Sequence, residues 1–185
     1  APSYAPAYFW SGVAAKELGD VDGALKRLDR ALRINPRFVE ARLGRALSRE
    51  ALGDLKGALS DYDEAIRLEP RNVTAHVNRG CVRDLSGSEE GARADYEEAL
   101  RIDPACALAL VNRGGLSLSR GNLDAATADF DAALKLRPRM AEAYVGRAEA
   151  RRRRGDLDGA AADCDEALRI DGKLARALTE RGVLR

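Results

Sequence analysis

The chain has 185 residues, of which 45% are hydrophobic and 33% charged, enough apolar material for a core of ordinary domain size and too much for a disordered chain. Lys and Arg number 31 against 30 Asp and Glu, a formal net charge of +1. That balance excludes a bulk electrostatic pull toward nucleic acid or a membrane surface.

The first residues, Ala1 to Trp10, carry no basic n-region, no apolar h-region and no initiating Met, so the sequence is expected to be a fragment or a processed product without a secretory signal. No apolar run approaches the roughly 18 residues of a membrane helix. From Tyr4 onward one unit is reiterated. Pro36, Pro70, Pro104 and Pro138 stand 34 residues apart, and the next step lands on Gly172. A fixed period of that length predicts a stack of short structural repeats.

The first unit predicts a helix that ends at Gly19, where glycine takes the left-handed conformation that closes a helix. Asp20 follows as the N-cap of a second helix, accepting from its first unpaired N–H groups. That helix runs through Ala31-Leu32-Arg33-Ile34 and is broken by Pro36. The second unit repeats the series with Gly53, Asp54, Ala65-Ile66-Arg67-Leu68 and Pro70. The third has Gly87, Ser88 and Ala99-Leu100-Arg101-Ile102, the fourth Gly121, Asn122 and Ala133-Leu134-Lys135-Leu136, and the fifth Gly155, Asp156 and Ala167-Leu168-Arg169-Ile170. Small residues recur where two helices would cross closely: Gly12, Ala46, Gly80, Gly114, Ala148 and Gly182 in the first helix of each pair, and Ala24, Ala58, Ala92, Ala126 and Ala160 in the second.

These columns resemble the tetratricopeptide repeat family over nearly the whole chain. The resemblance implies an all-α fold, a right-handed α-α superhelix of stacked antiparallel helix pairs. The repeats fall at 5–38, 39–72, 73–106, 107–140 and 141–174, with a partial sixth first helix at 175–185, all in one domain. Tyr62, Tyr96 and Phe130 meet the family's aromatic in the second helix, with Leu28 and Cys164 in its place at the two ends. The family's early aromatic in the first helix is met by Tyr8 and Tyr144 only. Arg42, His76 and Leu110 stand there in the middle repeats, departures that concern packing at single positions.

Two charged columns accompany the repeat. Arg45, Arg79, Arg113, Arg147 and Arg181 lie in the first helices, and Asp61, Asp95, Asp129 and Asp163 in the second. Both columns fail together in the first repeat, at Ser11 and Arg27, so each Arg is expected to pair with a second-helix Asp, within its repeat or across to the neighbour. An anion-binding stripe is the other reading. Arg151 to Arg154 form a basic run. Four successive helical residues point in four directions, so solvated and ion-paired charge near a helix C-terminus is expected rather than a phosphate site.

By resemblance, Asn78 and Asn112 look onto the concave groove of the stack, where an amide could hold a peptide backbone or, alternatively, bond between helices. The same inference places Leu43, Leu47, Val77, Val111, Leu118 and Val145 along the groove, with Phe9, Val13, Cys81, Gly115 and Glu149. An apolar stripe there marks either a contact surface or packing against neighbouring helices. The two-carboxylate clamp known in the family, built of Lys, Asn, Asn, Lys and Arg, is absent: Phe9, Leu43, Val77, Thr74, Leu108 or Glu142 occupy its basic positions. A chaperone-tail role is therefore not expected.

No catalytic constellation emerges. The one histidine, His76, has no ligand cluster beside it, no nucleotide-binding motif occurs, and no cofactor or metal is expected. Cys81, Cys106 and Cys164 form no CxxC pair and read as inert, mostly buried thiols. Tyr4, Tyr8, Phe9 and Trp10 either seal the first repeat or meet another copy of the chain. The expected function is a protein–protein interaction scaffold that binds a partner peptide or helix in the groove. A docking arm of a larger enzyme and a self-assembling structural solenoid are the alternatives.

Overall fold

The computed structural model describes residues 4–183. Among the described residues there are eleven helices and no strands. They alternate as first and second members of hairpins: α1 (Ala5–Glu17) and α2 (Val21–Ile34), α3 (Val39–Ala51) and α4 (Leu55–Leu68), α5 (Val73–Leu85) and α6 (Glu89–Ile102), α7 (Ala107–Ser119) and α8 (Leu123–Leu136), α9 (Ala141–Arg153) and α10 (Leu157–Ile170), then α11 (Ala175–Val183). The chain divides into two compact units, the first ending at Asp95 and the second beginning at Tyr96, within α6.

The hairpin turn follows from its residues. Gly19, Gly53, Gly87, Gly121 and Gly155 all have φ between 77° and 86°, a region that penalises any side chain with a Cβ. In the first turn the Gly19 N–H reaches the Lys16 carbonyl at 2.9 Å and the Asp20 N–H the Ala15 carbonyl at 2.9 Å. These bonds satisfy the last carbonyls of α1. Asp20, Asp54 and Asp156 then cap the next helix, each Oδ1 accepting from the N–H three residues on, at 2.8, 2.9 and 2.9 Å. Asn122 makes no such side-chain bond.

In the first unit α1 packs on α2, α2 on α3, α3 on α4 and α4 on α5, and α1 also meets α3. In the second, α7 packs on α8, α8 on α9 and α9 on α10, while α9 also meets α7 and α11. Consecutive elements thus hide one another's apolar faces, as nearest-neighbour stacking requires. The alanine columns make the close approach possible: Ala24, Ala58, Ala126 and Ala160 have no exposed surface, nor do Ala31, Ala65, Ala133 and Ala167. Leu28, Tyr62, Tyr96, Phe130 and Cys164 fill the largest core position and are all at most 1% exposed. A Cβ at Gly12 would come within 2.9 Å of Leu28 Cγ, and one at Gly114 within 3.0 Å of Phe130 Cε1. Gly182 departs from this column: no atom lies within 4 Å of where its Cβ would stand among the described residues.

Cys164 is buried, and burial pushes its thiol above the ordinary range. Cys81 and Cys106 are only half-buried, so "mostly buried" holds for one of the three. The N-terminal aromatics also divide. Tyr8 and Phe9 pack on the Leu28–Leu32 cluster with Phe38, while Tyr4 and Trp10 stay 61% and 66% exposed.

Candidate functional site

The arginine column is the most regular polar feature. Arg45 grips Asp61 with two parallel bonds, Nε to Oδ2 at 2.9 Å and Nη2 to Oδ1 at 2.6 Å. Its Nη1 turns the other way, to Asp29 at 2.7 Å. Arg79 does the same between Asp95 and Asp63, and Arg147 between Asp163 and Asp131. Arg113 holds Asp129 at 2.9 and 2.7 Å, and Arg181 reaches Asp165 at 2.9 Å. The partner lies 16 residues ahead for one edge of the fork and 16 behind for the other. The pairing expected from sequence is therefore both within the repeat and across to the preceding one. A planar guanidinium with donors on two edges can do this, and a lysine cannot.

A second arginine column completes three of the four buried carboxylates. Arg49, Arg83 and Arg151 donate to Asp61, Asp95 and Asp163 at 2.7–2.8 Å, and also to the carbonyls of Gly57, Gly91 and Gly159. Those carboxylates are 2–3% exposed. Ser117 stands at this position in the fourth repeat, and Asp129 is correspondingly more open, at 8%. The bond to Asp163 holds the Arg147 guanidinium protonated beyond its ordinary range, against the opposing effect of burial. With both edges of the Arg45, Arg79 and Arg147 guanidiniums committed to fixed carboxylates, these rungs act as structural ion pairs rather than as an anion-binding stripe. The basic run at the end of α9 is likewise committed: Arg151 to Asp163, Arg152 to Glu180 at 2.8 Å, Arg153 to Glu149 and the Leu118 carbonyl, Arg154 to Asp124.

The first-helix face singled out by sequence divides by depth. In the first unit Leu43, Leu47 and Asn78 are half-buried and Val77 is buried at 2% exposure. In the second, Val111 and Asn112 are half-buried, while Leu118 and Val145 are buried at 4% and 1%. Val77, Leu118 and Val145 therefore serve as packing beneath the face. They offer a partner no surface until a neighbour is displaced. Leu43 packs against the Tyr62 and Ala65 clusters on its inner side. Glu149 is held by Arg153 and lies 3.6 Å from Arg176.

Asn78 has a fixed partner. Its amide stands beside the hydroxyl of Tyr62 and opposes the rise in that hydroxyl's pKa, while the hydroxyl donates to Glu50 Oε2 at 3.4 Å. Burial, then the Glu50 carboxylate, push the Tyr62 hydroxyl well above the usual phenol range. The position 16 residues after the large core residue follows that residue's chemistry. Asn78 follows Tyr62, and Asn112 stands at the same spacing from Tyr96. Gly146 follows Phe130, whose Cζ lies 2.3 Å from the place of a Cβ, and Gly44 follows Leu28, 3.3 Å away. In these four pairs a hydroxyl in the core goes with an amide and an apolar side chain with a glycine, while Glu180 follows Cys164.

Comparison with known proteins agrees with this architecture. None of the curated proteins matches the chain at a significant level. Among solved structures, a thermophilic tetratricopeptide protein of Thermus thermophilus is 26% identical, with 97% of this chain and 98% of that one covered and a TM-score of 0.80. PilF of Pseudomonas aeruginosa is 22% identical over 97% of this chain and 82% of its own, with a TM-score of 0.87. YrrB, described as a tetratricopeptide protein with an unusual peptide-binding site, is 19% identical over 97% and 93%, with a TM-score of 0.70. The family model for the tetratricopeptide repeat matches residues 11–73, 45–107, 86–131 and 112–175. With the hairpins, the turn glycines and the alanine columns already in place, the chain belongs to the tetratricopeptide repeat family.

Proposed function

We propose that this chain is a protein-interaction scaffold whose first-helix face holds an extended segment or a helix of a partner protein. Tetratricopeptide repeat proteins are in general non-enzymatic scaffolds, which supports the broad reading. The peptide-binding site named for YrrB supports the finer one by analogy of fold. The observation that carries it is the uneven burial of the apolar columns. The alanines between helices have no exposed surface, yet Leu43, Leu47 and Val111 remain half-buried on the first-helix face and Trp10, on the same face of α1, is 66% exposed. Apolar surface kept open in this way marks contact sites. Asn78, half-buried beside Tyr62, offers an amide that can pair with a partner backbone. Val77 underlies this face in the first unit, and Leu118 and Val145 underlie it in the second.

A photo-crosslinking amino acid at Leu47 or Val111, compared with one at the exposed Leu136 of α8, tests this in cells of the native host. Discrete adducts from Leu47 and Val111 and none from Leu136 are expected. Adducts from Leu136 alone move the site to the second-helix face and sink the proposal. The exposure of Tyr4 and Trp10 favours a second reading, self-association through the first repeat, which sedimentation of wild type beside Trp10→Ala separates from partner binding.

A further inference from the structure

Arg42 and His76 occupy the same position one repeat apart, and each makes the same two approaches. Arg42 donates from Nη2 to the Pro36 carbonyl at 2.6 Å, with Nη1 3.7 Å from Asp61 Oδ1. His76 has Nε2 3.0 Å from the Pro70 carbonyl and Nδ1 3.6 Å from Asp95 Oδ1. A carbonyl only accepts, so Nε2 carries a proton and the neutral ring leaves Nδ1 as a bare lone pair. That atom is buried, with no hydrogen-bond partner, and the side chain is 6% exposed. It faces a carboxylate oxygen, an acceptor against an acceptor. A proton on Nδ1 converts that opposition into a charge-assisted bond.

We infer that His76, already tied through Nε2 to the α4–α5 corner, is a proton-operated clasp in the first unit that draws α5 onto Asp95 of α6 when the solution turns acid. The charged groups that face it bear on the sign. Asp95 comes from α6. Arg79 and Arg83, from α5 itself, share the same carboxylate, and Asp63 of α4 lies on the other edge of Arg79. Two guanidiniums oppose a third cation there. The preceding repeat shows that the fold accommodates one, for Arg42 stands permanently charged beside Arg45 and Arg49 around Asp61. His76 puts a titratable group where that repeat keeps a fixed cation. The bond from a protonated Nδ1 to Asp95 exists only in the folded chain, so what it contributes belongs to the acid side of the histidine range and goes as pH rises through it.

The chain has a single histidine, so its imidazole signals need no assignment. Long-range 1H–15N spectra of the full chain at about pH 8 should show the Nε2–H form alone. Melting of wild type, His76→Leu and His76→Arg is then followed from about pH 8 to about pH 5. Leucine is native to this column at Leu110, and arginine at Arg42. The wild type should gain on both variants by on the order of 2–4 °C as the pH falls. An Nδ1–H form at high pH, or a wild-type advantage over the leucine variant that stays flat or shrinks in acid, overturns the inference.

Discussion

Gly44 and Gly146 occupy one column in different repeats, and the structure assigns their alanine variants opposite signs. At Gly146 an added Cβ would stand 2.3, 2.6 and 2.8 Å from three atoms of the Phe130 ring. Carbon atoms sit about 3.5–4.0 Å apart at rest, so the ring would have to retreat by more than 1 Å. Phe130 is 1% exposed and bounded by Leu110, Leu118 and Leu134, and has nowhere to go. Overpacking of this kind costs about 1–3 kcal/mol, and three simultaneous contacts put Gly146→Ala at the upper end. Replacing glycine in a helix returns up to about 1 kcal/mol, for a net loss of about 2 kcal/mol. At Gly44 the nearest atoms are Leu28 Cδ2 at 3.3 Å and Cδ1 at 3.6 Å, the ends of a side chain that can give by tenths of an ångström. There the helix gain dominates, and Gly44→Ala should be neutral or stabilising by up to about 1 kcal/mol. Urea unfolding of both variants measures the difference. Phe130→Leu, which copies the Leu28–Gly44 combination, should recover most of the loss in the Gly146→Ala background. A Gly146→Ala protein as stable as wild type, or a Gly44→Ala protein that loses as much, would refute the packing argument.

Two further outcomes follow from the ladder and from Tyr62. Asp163 accepts from Arg147 and Arg151 whereas Asp129 accepts from Arg113, so Asp163→Ala should cost more than Asp129→Ala by about 1.5–3 kcal/mol, the worth of one charge-assisted bond. Equal losses in denaturant titration would show that the second arginine column contributes nothing. Tyr62 has its hydroxyl raised in the folded state, so the neutral phenol is favoured by folding. That stability is complete below about pH 10, the phenol range of an unfolded chain, and is lost as pH rises beyond it. Alkaline unfolding monitored by circular dichroism should therefore move to higher pH in Tyr62→Phe, and an unchanged midpoint would argue against it.

The repeat, the hairpin turns and the alanine crossings were all legible in the sequence, because each depends on residues close in the chain: a glycine, the acidic residue after it, the proline beyond. What periodicity conceals is which columns touch. Equal spacing shows that Asn78 and Asn112 are equivalent, but not that the facing column holds Tyr62 and Tyr96. Asn78 could therefore be placed on the groove from sequence, but not beside Tyr62. Asp29, Asp63, Asp131 and Asp165 went unnoticed for the same reason, since their arginines belong to the following repeat. Depth was the other hidden quantity. Val77, Leu118 and Val145 share a helical face with residues that stay half-open, and only the packing of neighbouring helices separates them.

The two-handed grip of each guanidinium bears on how such a chain can change length. The rungs at Arg45, Arg79 and Arg147 each look back to one hairpin and forward into their own by the same interval. Copying or excising one whole period inside a unit hands each arginine an equivalent pair of acids, and no charge is stranded. Adding or losing a single residue between rungs turns the facing carboxylates aside and leaves buried ions alone. Growth by entire modules is therefore nearly free of electrostatic penalty, and drift by fractions of one is not.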